Sequence, residues 1–272
     1  MQRRGSPNSR AHQYAHLWPG VPLALGAAAL FGATPPLSKL LLETISPFML
    51  AGLLYLGAGL GLAVYQLRRR AAAAGAGEAP LRQRELPWLL LAVGFGGVIA
   101  PVLLMSGLAL TPASSGALLL NLEGLATMAV AWLVYRENVD WRLLLGAAAI
   151  LSGAMLLSWE GQGIAFNHGA ILVAGACFAW GLDNNFTRRI SSADPAVIAM
   201  IKGLAAGSAN IALAFLTGAS LPAPLIIAAA CAAGLLCVGV SLVMYILALR
   251  HLGTARTGAY FSLAPFIGAV LA

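Results

Sequence analysis

Four ionisable residues lie well inside long apolar runs: Glu123, Asp183, Lys202 and Lys39. In a lipid solvent each such charge costs about 2.5–3.5 kcal/mol on insertion scales, so a side chain kept there is a first place to look for function. Gly116, Leu120, Glu123 and Thr127 recur at helical spacing and share one face, with Asn121 close by. A carboxyl group at membrane depth can exchange a proton as its surroundings alternate between wet and dry. The plainer reading of Glu123 is a protonated acid hydrogen-bonded to the next helix. Asp183, Asn184 and Asn185 are consecutive, and such side chains compete for backbone hydrogen bonds and can interrupt a helix. Here the plainer reading is a packed kink, with Asp183 paired to Arg188 or Arg189. Lys202 lies two turns into its run, about 10 Å deep at 1.5 Å per residue. It reads first as a side chain snorkelling back to the headgroups and second as a substrate contact. Lys39, near the far end of its run, reads as an interface anchor or as a group facing an anionic substrate.

Other chemistries find little support. There is no HExxH, P-loop or GxSxG motif and no paired-carboxylate constellation, which argues against hydrolysis and ATP-driven pumping. The histidines at 12, 16, 168 and 251 are scattered. His12 and His16 could share a face, but the tail around them holds no Cys or acid, so no metal is expected. Cys177, Cys231 and Cys237 sit in apolar runs without a CxxC and read as structural thiols. Trp180 and Tyr260 are either packing residues or stacking surfaces for a substrate. Gly57 and Gly61 form GxxxG, a close-packing signal. Asn185-Phe186-Thr187 matches a glycosylation sequon but lies in or beside a span. No cofactor is called for.

The elements that must hold these residues follow from composition. Of 272 residues 60% are apolar and 9% charged, far from the roughly half apolar and quarter charged make-up of soluble domains. A soluble fold of this length cannot hide so much apolar surface, so the expected solvent is lipid. Nine runs approach the roughly 20 residues needed to cross a bilayer: 21–42, 47–67, 87–110, 113–134, 141–158, 169–188, 195–216, 223–249 and 254–272. With the N-terminus inside, 14 of the 16 Lys and Arg residues fall on inner loops or inner helix ends, and no outer loop carries one. Tyr65, Trp88, Trp132, Tyr135 and Trp141 cluster at the same ends. The net charge of +7 is therefore topogenic, and nucleic acid is not an expected partner. Residues 68–85 read as a flexible cytoplasmic linker.

Internal symmetry is the next signal. A shift of 149 aligns Gly26-Ala27 with Gly175-Ala176, Gly32 with Gly181 and Ser38 with Thr187; Ser46-Pro47 then meets Asp194-Pro195, each an N-cap followed by proline. A shift of 142 aligns Leu110, Ala113, Gly116 and Ala117 with Leu252, Ala255, Gly258 and Ala259, and pairs Glu123 with Pro265. Spans one and six correspond yet run in opposite senses, so the halves are inverted, a pattern of secondary transporters. Thr34-Pro35-Pro36 occupies the place of Asp183-Asn184-Asn185. Interrupted segments at matching places point to a binding site. The register also predicts a tenth helix ending about 30 residues past Ala272, so the second repeat reads as truncated.

The runs LALTPASSGALLLNLEGLATMAVAWLVYRE (108–137), AWGLDNNFTRRI (179–190) and LRHLGTARTGAYFSLAPFIGAVLA (249–272) resemble EamA-type members of the drug/metabolite transporter superfamily. The resemblance implies ten helices in two inverted five-helix repeats, both termini cytoplasmic, and a central cavity. It also implies transport of amino acids, metabolites, nucleotide sugars or toxic compounds on ion or substrate gradients. The expectation is an all-α polytopic protein of a bacterial inner membrane, with a tail at 1–20 and repeats at 21–160 and 168–272. It would work by alternating access around a cavity lined by spans one, four, six and nine, with Glu123 or Asp183 coupling proton to substrate. Thr34, Pro35, Pro36, Asn121, Thr127, Lys39, Lys202 and Pro265 complete the expected path. A non-transporting accessory protein, an intramembrane lipid-modifying enzyme and a lipid flippase are the rival readings. Substrate identity and oligomeric state are left open.

Overall fold

The computed structural model describes residues 19–72, 78–112, 115–116, 119–138, 141–157 and 168–271, and all the regular elements among them are helices. The basic tail with Arg3, Arg4, Arg10, His12 and His16 lies outside the described residues. The helices are α1 (Gly20–Leu41), α2 (Pro47–Ala71), α3 (Gln83–Ala109), α4 (Asn121–Leu133), α5 (Trp141–Leu157), α6 (His168–Ile190), α7 (Pro195–Leu216), α8 (Pro224–Leu252), α9 (Thr254–Phe261) and α10 (Ala264–Leu271).

Five of these, α1, α2, α3, α7 and α8, are long and apolar enough to cross a bilayer. The other expected spans differ for visible reasons. α6 has 23 residues, but its polar Asp-Asn-Asn and Arg-Arg stretches lower its apolar character. α4 has 13 residues, α5 is described over Trp141–Leu157, and the last run is two eight-residue helices parted at Ser262 and Leu263. The outer surface is apolar: Leu90 is 70% exposed, Leu225 81% and Val270 86%. Lipid, not water, suits such a surface.

Helix starts obey local chemistry. The Ser46 hydroxyl accepts from the Met49 amide at 3.4 Å, and Asp194 Oδ1 accepts from Ala196 and Val197 at 2.9 and 3.4 Å. Pro47 and Pro195 each occupy the first turn, where a missing N–H is harmless. Asp194 also receives Arg69 at 2.8 Å and Gln66 at 3.3 Å, tying α2 to the start of α7. The expected flexible linker is anchored over its described end. The Asp194 amide donates to the Ala79 carbonyl at 3.0 Å, and Arg250 reaches Glu78 at 3.1 Å.

Glycine sets how closely the central helices approach. Gly52 and Gly59 on α2 face Gly203 and Gly207 on α7 so tightly that a Cβ on Gly203 would lie 2.5 Å from the Gly59 nitrogen. Gly57 and Gly61 turn to a different neighbour, α8, where a Cβ on Gly57 would lie 2.3 Å from the Cys231 carbonyl oxygen. α2 is thus clamped on two faces.

Two helices change pitch midway. α3 is π-helical over Val93–Ile99 and α8 over Gly234–Val240, seven residues each. The wider turn frees carbonyls from the helical ladder, and side chains claim them. Tyr55 and Trp180 both donate to the Gly96 carbonyl, at 2.7 and 3.0 Å, and Asn210 donates to that of Gly97 at 2.8 Å. α1 breaks at Ala33, ahead of Thr34-Pro35-Pro36. The matching break expected in α6 is absent. That helix runs unbroken because Asn185 donates back to the Gly181 carbonyl at 2.8 Å and Thr187 to Asp183 at 2.9 Å, so the polar run bonds along its own helix.

Candidate functional site

At the centre of the bundle a cavity of about 50 Å³ opens among seven helices. Its walls are Phe31 of α1, Tyr55 of α2, Glu123 of α4, Trp180, Asp183 and Asn184 of α6, Lys202 of α7, Val238, Ser241, Leu242 and Tyr245 of α8, and Phe261 of α9. The runs expected to contribute are represented by α1, α4, α6 and α9, and α2, α7 and α8 also contribute.

Lys202 is 1% exposed and does not snorkel. Its ammonium donates to both oxygens of Asp183, at 2.6 and 2.8 Å, and to the Thr187 hydroxyl at 3.3 Å. The reason is positional: two turns into α7 the side chain points across to α6 rather than along the helix to the headgroups. Asp183 therefore pairs with Lys202 and not with Arg188 or Arg189. Arg189 instead stacks over the Trp88 and Tyr135 rings, 5.2 and 4.8 Å from their centroids.

Glu123, 6% exposed, is joined to α6 by Asn184, whose amide donates to Glu123 Oε1 at 3.1 Å and to the Thr127 hydroxyl at 2.9 Å. Glu123 and Thr127 face the same neighbour, as their spacing predicts. Asn185 points away from the cavity; its amide bridges the Thr127 and Gly181 carbonyls, and its burial leaves no room for a glycan. Asn121 is buried two residues before Glu123, on another face of α4, and does not line the cavity.

The helix breaks lie beside a second, narrower space of about 10 Å³, bounded by Pro35, Pro265, Leu120, Gly124 and again by Phe31, Glu123 and Phe261. Glu123 thus borders both spaces, and the Phe31–Phe261 pair, 5.2 Å between centroids, stands between them. Thr34 is buried beside Pro35 with its hydroxyl unpartnered. Pro36 is not part of either wall. Lys39 caps the end of α3, donating to the carbonyls of Leu108 and Thr111 at 2.7 and 3.1 Å, so it is spent on structure.

Trp180 lines the cavity, whereas Tyr260 faces outward; the aromatic next to it, Phe261, points in. Tyr55, Ser241 and Tyr245 escaped the sequence reading. The signal was present, since each is a polar group inside an apolar run, but hydroxyls satisfy themselves on backbone more cheaply than charges do. Ser241 does so on the Ala27 carbonyl at 2.9 Å. Among the described residues no group of His, Cys, Asp and Glu is placed to hold a metal.

A family model described as the EamA-like transporter family matches residues 18–159 and again 167–272. The chain belongs to the EamA-like transporter family. It is also similar to an uncharacterized transporter of Methanothermobacter thermautotrophicus, with 29% identity over 98% of this chain and 82% of that one. A solved crystal structure superposes with a TM-score of 0.73, at 20% identity, over 93% of this chain and 86% of the other, a likeness of fold. This EamA-like protein is a multi-pass membrane protein, and its kinship points to transport rather than catalysis.

Proposed function

We propose that the protein is a secondary-active transporter of small molecules that works by alternating access around the central cavity. One observation carries this reading: two acidic side chains, a lysine and a ring of aromatic side chains converge from seven helices on one space inside the bundle. Burying that much polarity is costly unless the space is used.

The reading includes nine spans in two inverted repeats, the last formed by α9 and α10 together. The doubled family match supports it, as do the N-capped prolines opening α2 and α7 and the π-helical stretches of α3 and α8, which fall within one residue of the 142-residue shift. In this reading the arginine-rich end faces the cytoplasm, with the N-terminus on the cytoplasmic side of a bacterial inner membrane. Glu123 borders both spaces and is the proton-carrying group; Asp183, locked to Lys202, is the hinge charge whose pairing differs between the inward and outward states.

The test needs no substrate. Ser241→Cys, with Cys177, Cys231 and Cys237 replaced by alanine, is labelled with a membrane-impermeant maleimide in vesicles of both orientations. Alternating access expects labelling from both sides, at rates that change reciprocally with pH, and expects Glu123→Gln to remove that dependence. Labelling from one side only would refute transport by this route. An unchanged pH dependence in both Glu123→Gln and Asp183→Asn would refute proton coupling.

A further inference from the structure

We infer that the cavity takes an organic ammonium ion, a primary or secondary amine on an apolar or aromatic body, which displaces the proton from Glu123; the inference rests on the transport reading above. The argument is an inventory of which polar groups in the cavity are already committed. All three N–H bonds of Lys202 are used, two on Asp183 and one on Thr187. Among the described residues Lys202 is the only cation in the wall, and none of them leaves a positive group over to meet a carboxylate or phosphate. Both N–H bonds of the Asn184 amide are used as well, on Glu123 and Thr127.

The unspent groups are of the opposite kind. Glu123 accepts from Asn184 through Oε1, and no described residue donates to its Oε2. The Asn184 carbonyl oxygen is likewise unclaimed. The Tyr245 hydroxyl, fully enclosed in the same wall, has no partner. With Asp183 neutralised by Lys202, Glu123 is the acid in the wall whose ionised form has no described cation beside it. A site of unspent acceptors with one uncompensated negative charge selects a cation that brings its own N–H donors.

The walls select what that cation is attached to. Phe31 meets Trp180 edge-on at 5.5 Å and Phe261 at 5.2 Å, and Phe261 meets Tyr245 at 4.8 Å. This chain of rings offers π faces to an ammonium group and apolar surface to its substituent. A zwitterionic amino acid fits poorly, because its carboxylate would face Glu123 and Asp183 with no free donor cation.

The groups able to titrate around Glu123 come from several helices: Cys177 and Asp183 on α6, Tyr55 on α2, Tyr245 on α8, and Lys202 on α7 behind Asp183. α9, packed on the other side, turns its ionisable residues Arg256 and Tyr260 outward. Of these only Glu123 combines a free acceptor with access to both spaces.

The experiment compares four ligands sharing one ring: phenethylamine, its N,N,N-trimethyl derivative, L-phenylalanine and 3-phenylpropionate. Binding to the purified full chain and counterflow in proteoliposomes are measured for each. Phenethylamine is expected to bind and exchange saturably. The trimethyl derivative, lacking N–H donors, should bind about tenfold more weakly or worse, and the two carboxylates should not compete. Lowering the pH should weaken amine binding toward a limit of about tenfold per unit, as one proton replaces one cation. Glu123→Gln should cost roughly a hundredfold. If that variant does not fold, the pH competition in the unaltered protein decides alone. Binding of phenylalanine or phenylpropionate in preference to the amine would overturn the ammonium assignment and leave transport standing. If none of the four binds, the assignment falls; two-sided labelling of Ser241→Cys then keeps the transport reading, and one-sided labelling removes it too.

Discussion

Lys202 and Asp183 form a buried pair whose partners are fully committed, and this makes the two residues unequal to their neighbours in mutation. Removing one partner strands the other charge in a low-dielectric interior, a loss of about 3–5 kcal/mol, whereas replacing both with apolar residues of similar size is far milder. Lys202→Ala should therefore lower the thermal midpoint in detergent much more than the double change Lys202→Met with Asp183→Leu, while both abolish any function that needs the pair. Equal losses in the single and double variants would mean that the pair is not the interaction at stake. The residue types and their depth were legible in the chain, as was the Glu123–Thr127 face. The partner of Asp183 was not, because nineteen residues and a turn separate it from Lys202, and only the crossing of α6 and α7 decides which basic group arrives first.

Elements carry the next set of consequences. α2 and α7 approach so closely that a Cβ on Gly203 meets the Gly59 backbone, which cannot move aside as a flexible side chain could. Gly203→Leu should force the helices apart and destabilise the fold by several kcal/mol, on the scale of severe overpacking; Gly146 on α5, where nothing lies within reach of an added Cβ and φ is not positive, offers the control. The π-helical stretch of α3 makes a second prediction. Asn210→Leu leaves the Gly97 carbonyl without its donor, a loss of about 1–3 kcal/mol, and hydrogen exchange should rise locally over Val93–Ile99. Glu137 joins α4 to the N-terminus of α9 by accepting from Thr254 and Ala255 at 3.2 and 3.0 Å. Glu137→Ala should cost about 0.5–2 kcal/mol in thermal unfolding, as for a lost helix cap. The N-caps at Ser46 and Asp194 were readable because capping is local. The pitch changes in α3 and α8 were not, since neither Val93–Ile99 nor Gly234–Val240 contains a proline to mark an interruption.

At the scale of the whole molecule, the arrangement is a shell of lipid-facing helices around a polar centre with two spaces sharing Glu123. Widening the passage between those spaces by Phe31→Ala should raise the rate at which Ser241→Cys is labelled from the side opposite the basic end, with little change from the basic side; equal acceleration from both sides would place the barrier elsewhere. Composition, the one-sided placement of arginine, helix termini and the polar positions at depth were all determined by the sequence, because each depends on solvent or on residues within a turn or two. Which side chains meet was decided only by tertiary structure: Lys202 with Asp183, Asn184 with Glu123, Tyr55 and Trp180 on one freed carbonyl, Phe261 rather than Tyr260 turned inward. Those meetings depend on the rotation of each helix about its axis and on glycine-limited distances between helices, and neither quantity is written in any single stretch of chain.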